Sequence, residues 1–407
     1  MEATPARITF AGIDWSWQHH AVCVIDAQGH RLEEATLPHS RSGLAKITAL
    51  LRRHEITQVG IERGDGPVVE HLLREGFEVV VISARQVKSL RDRYGSAGNK
   101  DDRFDAFVLA DALRTDAGRW AIVRPDTPET VALRMLVRAR QDLVGHRIAV
   151  HNQLLAVLQH NFPGAIGLFS GLDIAISLAF LRRFPSEAKA AWLSQSRLAH
   201  WLKANAYCGR QTPAELVAHL HEAATGRVDG AAAEASELIV LTLVELLTTL
   251  RRQQTALETR IKEALLAHPD GPIFQSLPRS GTVRAATLLA EIGDCRARFP
   301  DAGALAAAAG VAPSTRQSGT FRNVGYRRGC NKHLRDALVD WAQDTPRANA
   351  WARDTYDRAR QRGARHPHAA RILAQGWTRI LWRCWTDHQP YNPDLHGRLN
   401  DLQHQAA

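Results

Sequence analysis

Cysteine is scarce in this chain and never clustered. Its five copies, Cys23, Cys208, Cys295, Cys330 and Cys384, are odd in number, far apart and never in a C-x-x-C pair. That pattern argues against a disulfide framework and a structural zinc site, and for a reducing compartment. A long apolar run is lacking too: the greasiest stretch, Leu238 to Leu250, is interrupted by Glu245 and threonines and is too polar to span a bilayer. No N-terminal segment has the charged-then-apolar layout of a secretion signal, so the expected location is the cytoplasm, in association with the nucleoid. With 45% hydrophobic and 23% charged residues, the composition excludes the disordered and fibrous classes.

What the chain has in excess is positive charge. Fifty-two Lys and Arg face 42 Asp and Glu, a formal +10 over 407 residues, and arginine dominates. A planar guanidinium grips phosphate bidentately, so nucleic acid leads over a membrane surface as the expected partner. The cations are scattered, as they are on any solvated Arg-rich surface, so charge opens this reading without closing it. The length calls for two or three domains.

Along the first 125 residues the hydrophobic period alternates. Ile8–Asp14, His20–Asp26 and Arg31–Leu37 read as short strands, with Asp26-Ala-Gln-Gly29 as a tight turn. Ser42–His54 then has helical spacing, Gln58–Glu62 returns to strand, Pro67–Glu75 reads as helix, Phe77–Ser83 as a buried strand and Asp101–Thr115 as a further helix. This βββαβαβα order is that of a ribonuclease H-like (RuvC-like) mixed sheet. Two long amphipathic helices follow, Pro128–His160 and Glu234–His268, the second with heptad spacing through Leu243, Leu247, Leu250, Gln254, Leu257 and Ile261. They are expected to pair as a coiled coil or as ordinary bundle helices. Between them, 162–230 yields only short helices and reads as an insertion. Leu277-Pro-Arg-Ser-Gly281 reads as a turn between helices, and the C-terminal tryptophans Trp341, Trp351, Trp377, Trp382 and Trp385 fall at core-like helical spacings. The expected fold class is therefore α/β plus α, with a mainly helical C-terminal domain. The expected domains are 1–125, 126–268 and 269–390, with a tail at 391–407.

Four acids stand out by placement. Asp14 closes the first strand, Glu62 closes the fourth, and Asp102 and Asp105 sit three apart on a helix, where they share a face. Adjacent first and fourth strands bring the first two together beneath that helix. Such a carboxylate cluster needs cations, and hard oxygen donors suit Mg2+ or Mn2+ in phosphoryl transfer. By spacing alone, Asp101 with Asp105 is equally co-facial. A second candidate is Ser318, before Gly319 in a basic segment with Arg316, Arg322, Arg327, Arg328, Lys332 and Arg335, which are candidate nucleic-acid contacts. Alone, a Ser-Gly pair is usually a plain turn.

Gly12-Ile-Asp14-Trp, Ile61-Glu62, Lys100-Asp-Asp-Arg-Phe-Asp-Ala106, Ala309-Gly-Val-Ala-Pro313, Gln317-Ser-Gly319 and Gly329-Cys-Asn-Lys-His-Leu-Arg335 together resemble the DEDD transposases of insertion sequences. The resemblance runs from about residue 8 to 385, loosely in the middle. It implies a metal tetrad of Asp14, Glu62, Asp102 and Asp105, so the family register takes Asp102 over Asp101, and a Ser318 nucleophile forming a phosphoserine link to DNA. It further implies donor and target duplex DNA, guidance by a bridge RNA, and a homodimer or homotetramer in which the RuvC-like and serine domains meet across subunits. Two departures stand: Lys-Asp-Asp replaces a small hydroxyl residue before the aspartate, and Pro-Arg-Ser-Gly replaces Pro-Gly-hydrophobic-Gly. Competing expectations are a RuvC-like nuclease that hydrolyses DNA with water and a non-catalytic nucleic-acid-binding scaffold. An actin-like ATPase lacks its second glycine-rich phosphate loop here.

Overall fold

The computed structural model describes residues 8–94, 101–226, 230–397 and 399, and it divides into two compact units, Met1–Pro125 and Asp126–Ala407. Lys100 of the acidic motif and the end of the 391–407 tail lie outside the described residues.

The first unit runs β1 (Thr9–Trp15), β2 (His19–Asp26), β3 (Arg31–Pro38), α1 (Arg41–Arg53), β4 (Gln58–Ile61), α2 (Pro67–Arg74), β5 (Glu78–Val81), α3 (Ala84–Arg91), α4 (Asp102–Asp116) and β6 (Ala121–Ile122). Its sheet has the order β3-β2-β1-β4-β5-β6: β1, β4 and β5 are parallel, and the flanking strands are antiparallel. This is the ribonuclease H-like order read from the sequence, with two additions, α3 and β6. Local chemistry sets the elements. Asp26 Oδ1 accepts from the Gln28 and His30 amides while Gly29 takes φ +90°, closing the β2–β3 turn. The Ser40 hydroxyl accepts from Gly43 N and starts α1.

Strand alternation splits the sheet into two faces. Ala11, Ile13, Val22, Val24, Val59, Ile61 and Val79 join Ile47, Leu50 and Leu51 of α1 and Val68 and Leu72 of α2 in one core. The opposite face carries Gly12, Cys23, Ile25 and Gly60, and α4 lies directly on it. A Cβ on Gly12 would stand 2.1 Å from the Ala106 carbonyl oxygen, and one on Gly60 2.9 Å from that of Leu109. These two glycines are register partners on β1 and β4, so they form a single groove for the helix. At its far end Arg114 reaches the β2–β3 turn, with its Nε 3.3 Å from where a Gly29 Cβ would sit. Helix α4 therefore runs antiparallel to β1, with its N-terminus toward the carboxyl end of that strand.

The second unit contains α5 (Pro128–Asn161), α6 (Ala175–Arg183), α7 (Glu187–Ala190), α8 (Gln195–Ala204), α9 (Pro213–Glu222), α10 (Gly230–Ala267), α11 (Gly271–Gln275), α12 (Gly281–Ile292) and α13 (Ala302–Ala308). A hairpin of β7 (Pro313–Ser318) and β8 (Phe321–Tyr326) follows, then α14 (Lys332–Asp344), α15 (Ala350–Gln361) and α16 (His366–Thr386). Helices α5 and α10 pair antiparallel: Leu133 and Val137 meet Ile261 and Leu265 at one end, and Leu154 and Leu158 meet Val240, Leu243, Val244 and Leu247 at the other. At that second end, the short helices α6, α8 and α9 share the core through Phe180, Leu181, Leu198, Leu202 and Leu216. The stretch that reads only as short helices is thus a folded cap on the long pair. Trp341, Trp377 and Trp385 are fully buried, as their spacing indicates. Among the described residues no helix is long and apolar enough to cross a membrane.

Because α4 rests on backbone at Gly12, Gly12→Ala forces the helix off the sheet and is expected to destabilise by about 3 kcal/mol, the upper end for overpacked sites. Gly145, exposed within α5 with nothing within 4 Å of its virtual Cβ, is the control. There, Ala is expected to stabilise by about 0.8–1 kcal/mol through helix propensity. Urea unfolding of the two variants should move in opposite directions.

Candidate functional site

The first group of candidates sits in the N-terminal unit. Asp14 is two residues beyond Gly12 on β1, so it shares the α4 face, and Glu62 is the residue just after β4, two beyond Gly60. The Ile13–Ile61 register makes them neighbours at the carboxyl ends of adjacent parallel strands. Asp105 lies one turn before Leu109 on α4 and is buried, with only 3% of its surface exposed. Asp102 is the first residue of α4 and is exposed, as is Asp101 just before it. Asp14, Glu62 and the N-terminal turn of α4 are thus brought to one end of the sheet.

They are not drawn into a closed cage. Among the described residues, no three His, Cys, Asp or Glu side chains converge as a metal site would require. Asp105 instead pairs with Arg91 at the end of α3, Nη1 to Oδ1 3.0 Å. Nothing in the sequence marks Arg91 for this role, because a cation in a short polar helix carries no periodic signal. The all-carboxylate donor set suits a hard divalent cation, and its side chains must close in to hold one.

The second group lies in the C-terminal unit. Ser318 ends β7, and the turn through Gly319, at φ +55°, places Phe321 directly opposite it. Positive φ at the first residue of a two-residue loop is what a tight hairpin of this kind requires, and glycine supplies it without strain. Arg316 and Arg322 sit on opposite faces of the hairpin, both exposed; Arg327 and Arg328 follow it and are exposed as well. Lys332 opens α14, and Arg335 is ion-paired with Asp336 at 2.8 Å.

The base of this hairpin is anchored by polar contacts. Asn331 N donates to the Ala308 carbonyl, and the Asn331 side chain accepts from Leu334 N, capping α14. Its amide also donates to Glu291 Oε2 at 2.9 Å, and Arg138 grips both oxygens of the same carboxylate at 2.7 and 2.8 Å. Burial by itself would raise the Glu291 pKa, but the Arg138 and Asn331 contacts outweigh it and hold the carboxyl below its ordinary value. Cys330 sits against Gly310, where a Cβ would come within 2.6 Å of its sulfur. The Pro278-Arg-Ser-Gly281 turn also departs from expectation. Arg279 takes φ +60°, a conformation that glycine adopts more easily, and its guanidinium is 3.2 Å from Asp344.

These positions fall within two matched regions. A family model described as a transposase, of the DEDD and IS110 type, covers residues 11–163, and a second, "Transposase IS116/IS110/IS902 family", covers 271–357. The mini-circle putative transposase for IS117 of Streptomyces coelicolor is 32% identical over 94% of this chain and 95% of its own length. The chain belongs to the IS110 family of insertion-sequence transposases. Further similar proteins are the putative transposase y4uE of Sinorhizobium fredii, 34% identical over 49% of this chain and 57% of its own. The insertion element IS110 43.6 kDa protein of Streptomyces coelicolor is 30% identical over 77% and 76%. Membership in this family makes the chain a DNA transposase, and the DEDD type goes with dependence on a divalent metal ion.

Glu291 provides a pH test. Its folded pKa lies below the ordinary 4.5, so its contribution to stability is complete above that value and fades as pH falls through the lower folded one. Glu291→Gln is expected to cost about 1–3 kcal/mol at pH 7. The gap from wild type should narrow in urea melts as the medium is acidified below that range.

Proposed function

We propose that this transposase exchanges DNA strands through Ser318. The observation that carries the reading is the placement of that hydroxyl, at the tip of an exposed, arginine-bearing hairpin inside the region matched to the family. The Ser318 oxygen attacks phosphorus in a DNA backbone, the bond to one deoxyribose oxygen breaks, and that oxygen leaves with the proton as a free hydroxyl. The phosphoserine diester keeps the bond energy, so a hydroxyl from another strand can displace serine and reseal the backbone. Arg316, Arg322, Arg327 and Arg328 offset phosphate charge around the hairpin, with Lys332 and Arg335 at its base.

Asp14, Glu62, Asp102 and Asp105 would hold Mg2+ or Mn2+, with Arg91 giving up Asp105. An ion held there would supply charge neutralisation to a bound phosphate. Shared placement of Asp14 and Glu62 at adjacent strand ends supports this set. From the family resemblance we further infer donor and target duplexes selected by a bridge RNA, and action as a homodimer or homotetramer. The formal +10 charge accords with holding several polyanions.

Two variants test the reading. On cognate DNA with its flanking non-coding RNA, wild type should leave a protein–DNA adduct that survives denaturing gels. Ser318→Ala should form none and lose strand exchange, and Asp14→Ala should do likewise. Free nicked ends without adduct would identify a water-hydrolysing nuclease instead. Undiminished exchange in excess chelator would remove the metal role.

A further inference from the structure

The β7–β8 register sorts the hairpin into two faces. Ser314, Arg316 and Ser318 share one with their partners Gly325, Asn323 and Phe321; the other carries Thr315, Gln317, Arg322, Val324 and Tyr326. The second face is held at its base, where the Arg371 guanidinium lies 3.8 Å from the centre of the Tyr326 ring. On the nucleophile's face, Phe321 is the single large apolar side chain. It is 62% exposed and joins none of the hydrophobic clusters of the described residues.

An isolated ring at the end of a two-stranded hairpin adds little to folding, since it has no core to enter. Its surroundings point to what covers it. From residue 302 to 335 the chain has no Asp or Glu, while Arg316, Arg322, Arg327, Arg328, Lys332 and Arg335 fall within that stretch. A protein-binding hot spot would set such a ring among other apolar groups. Here its neighbours on the same face are a guanidinium, an amide and hydroxyls. That combination matches a nucleotide: phosphate for the cation, hydrogen-bonding edges for the amide, and a π face for the ring. In a duplex each base face is already covered by the next base, so the ring is served only by a base that has come out of the stack.

We propose that Phe321 is a stacking platform for an unpaired base adjoining the phosphate that Ser318 meets, with Arg316 on the backbone beside it. This deepens the serine reading and rests on it for the identity of the phosphate. Ser318 and Phe321 are direct cross-strand partners, so a base stacked on the ring brings its own backbone to the hydroxyl.

The test uses the full chain in a Ser318→Ala background, which blocks covalent capture, with a fluorescein-labelled single strand of mixed sequence about 20 nucleotides long, longer than one binding site. The same sequence as duplex is the second probe. Adding Phe321→Ala is expected to weaken single-strand binding about tenfold, Phe321→Leu similarly, and Phe321→Trp less than about twofold, with duplex binding little changed. Unchanged single-strand affinity in Phe321→Ala overturns the proposal. Rescue by leucine overturns it as well, since bulk without a π face would then suffice, as does equal loss on both probes. A shift in oligomer mass with unchanged DNA affinity would assign the ring to a second copy of the chain and also overturn it. Failure of the serine reading shows separately, as a missing adduct with Ser318 intact, and leaves the binding series interpretable.

Discussion

The contact between α4 and the backbone of β1 and β4 is the constraint on which the acidic end of the N-terminal unit depends. A helix normally stands off a sheet by the depth of two layers of side chains. Here the paired glycines Gly12 and Gly60 remove one layer, and the Ala106 carbonyl takes the place of a Cβ. The consequence is positional: Asp14 and Glu62, each two residues beyond its glycine, stand at the strand ends where the first turns of α4 begin. A bulkier strand would still fold into a sheet, but the helix carrying Asp102 and Asp105 would sit farther from the strand ends.

Electrostatics explain how this end accommodates a buried carboxylate. Buried Asp105 is neutralised internally by Arg91, because an uncompensated charge at that depth is costly. The C-terminal unit solves a similar problem differently. Glu291 is buried, yet Arg138 and Asn331 supply three hydrogen bonds to it, and through Asn331 the same carboxylate fixes the base of the serine hairpin. A rigid base and an exposed tip are compatible demands: the first is met by polar contacts inside the unit, and the second leaves both faces of the tip open to a partner.

Much of this was legible in the residues themselves. The short apolar stretches of β1, β2, β4 and β5, covered on both faces of the sheet, and the apolar stripes of α5 and α10 appear in the sequence with ends displaced by a residue or two, apart from the start of α10, which lies four residues earlier than its pattern indicates. Asp14 and Glu62 could be placed together because strand order determines which ends are adjacent. The elements that were missed share a physical cause. Helix α3 buries only Val87, and β6 is two residues long. The β7–β8 hairpin exposes both faces, so none of the three writes a hydrophobic period. Ser318 consequently read as a residue in a basic segment rather than as the end of a strand.

Residue types and spacings by themselves determined the ribonuclease H-like order, the two long helices, the core tryptophans and the candidate acids and serine. These follow from chain-local periodicity and from motifs that no folding event alters. Only tertiary structure decided that Asp105 is matched by Arg91, that Glu291 tethers the hairpin through Asn331, and that Phe321 stands open beside Ser318. Each of those joins positions whose proximity is created by packing or strand register, and a linear pattern holds no record of such contacts.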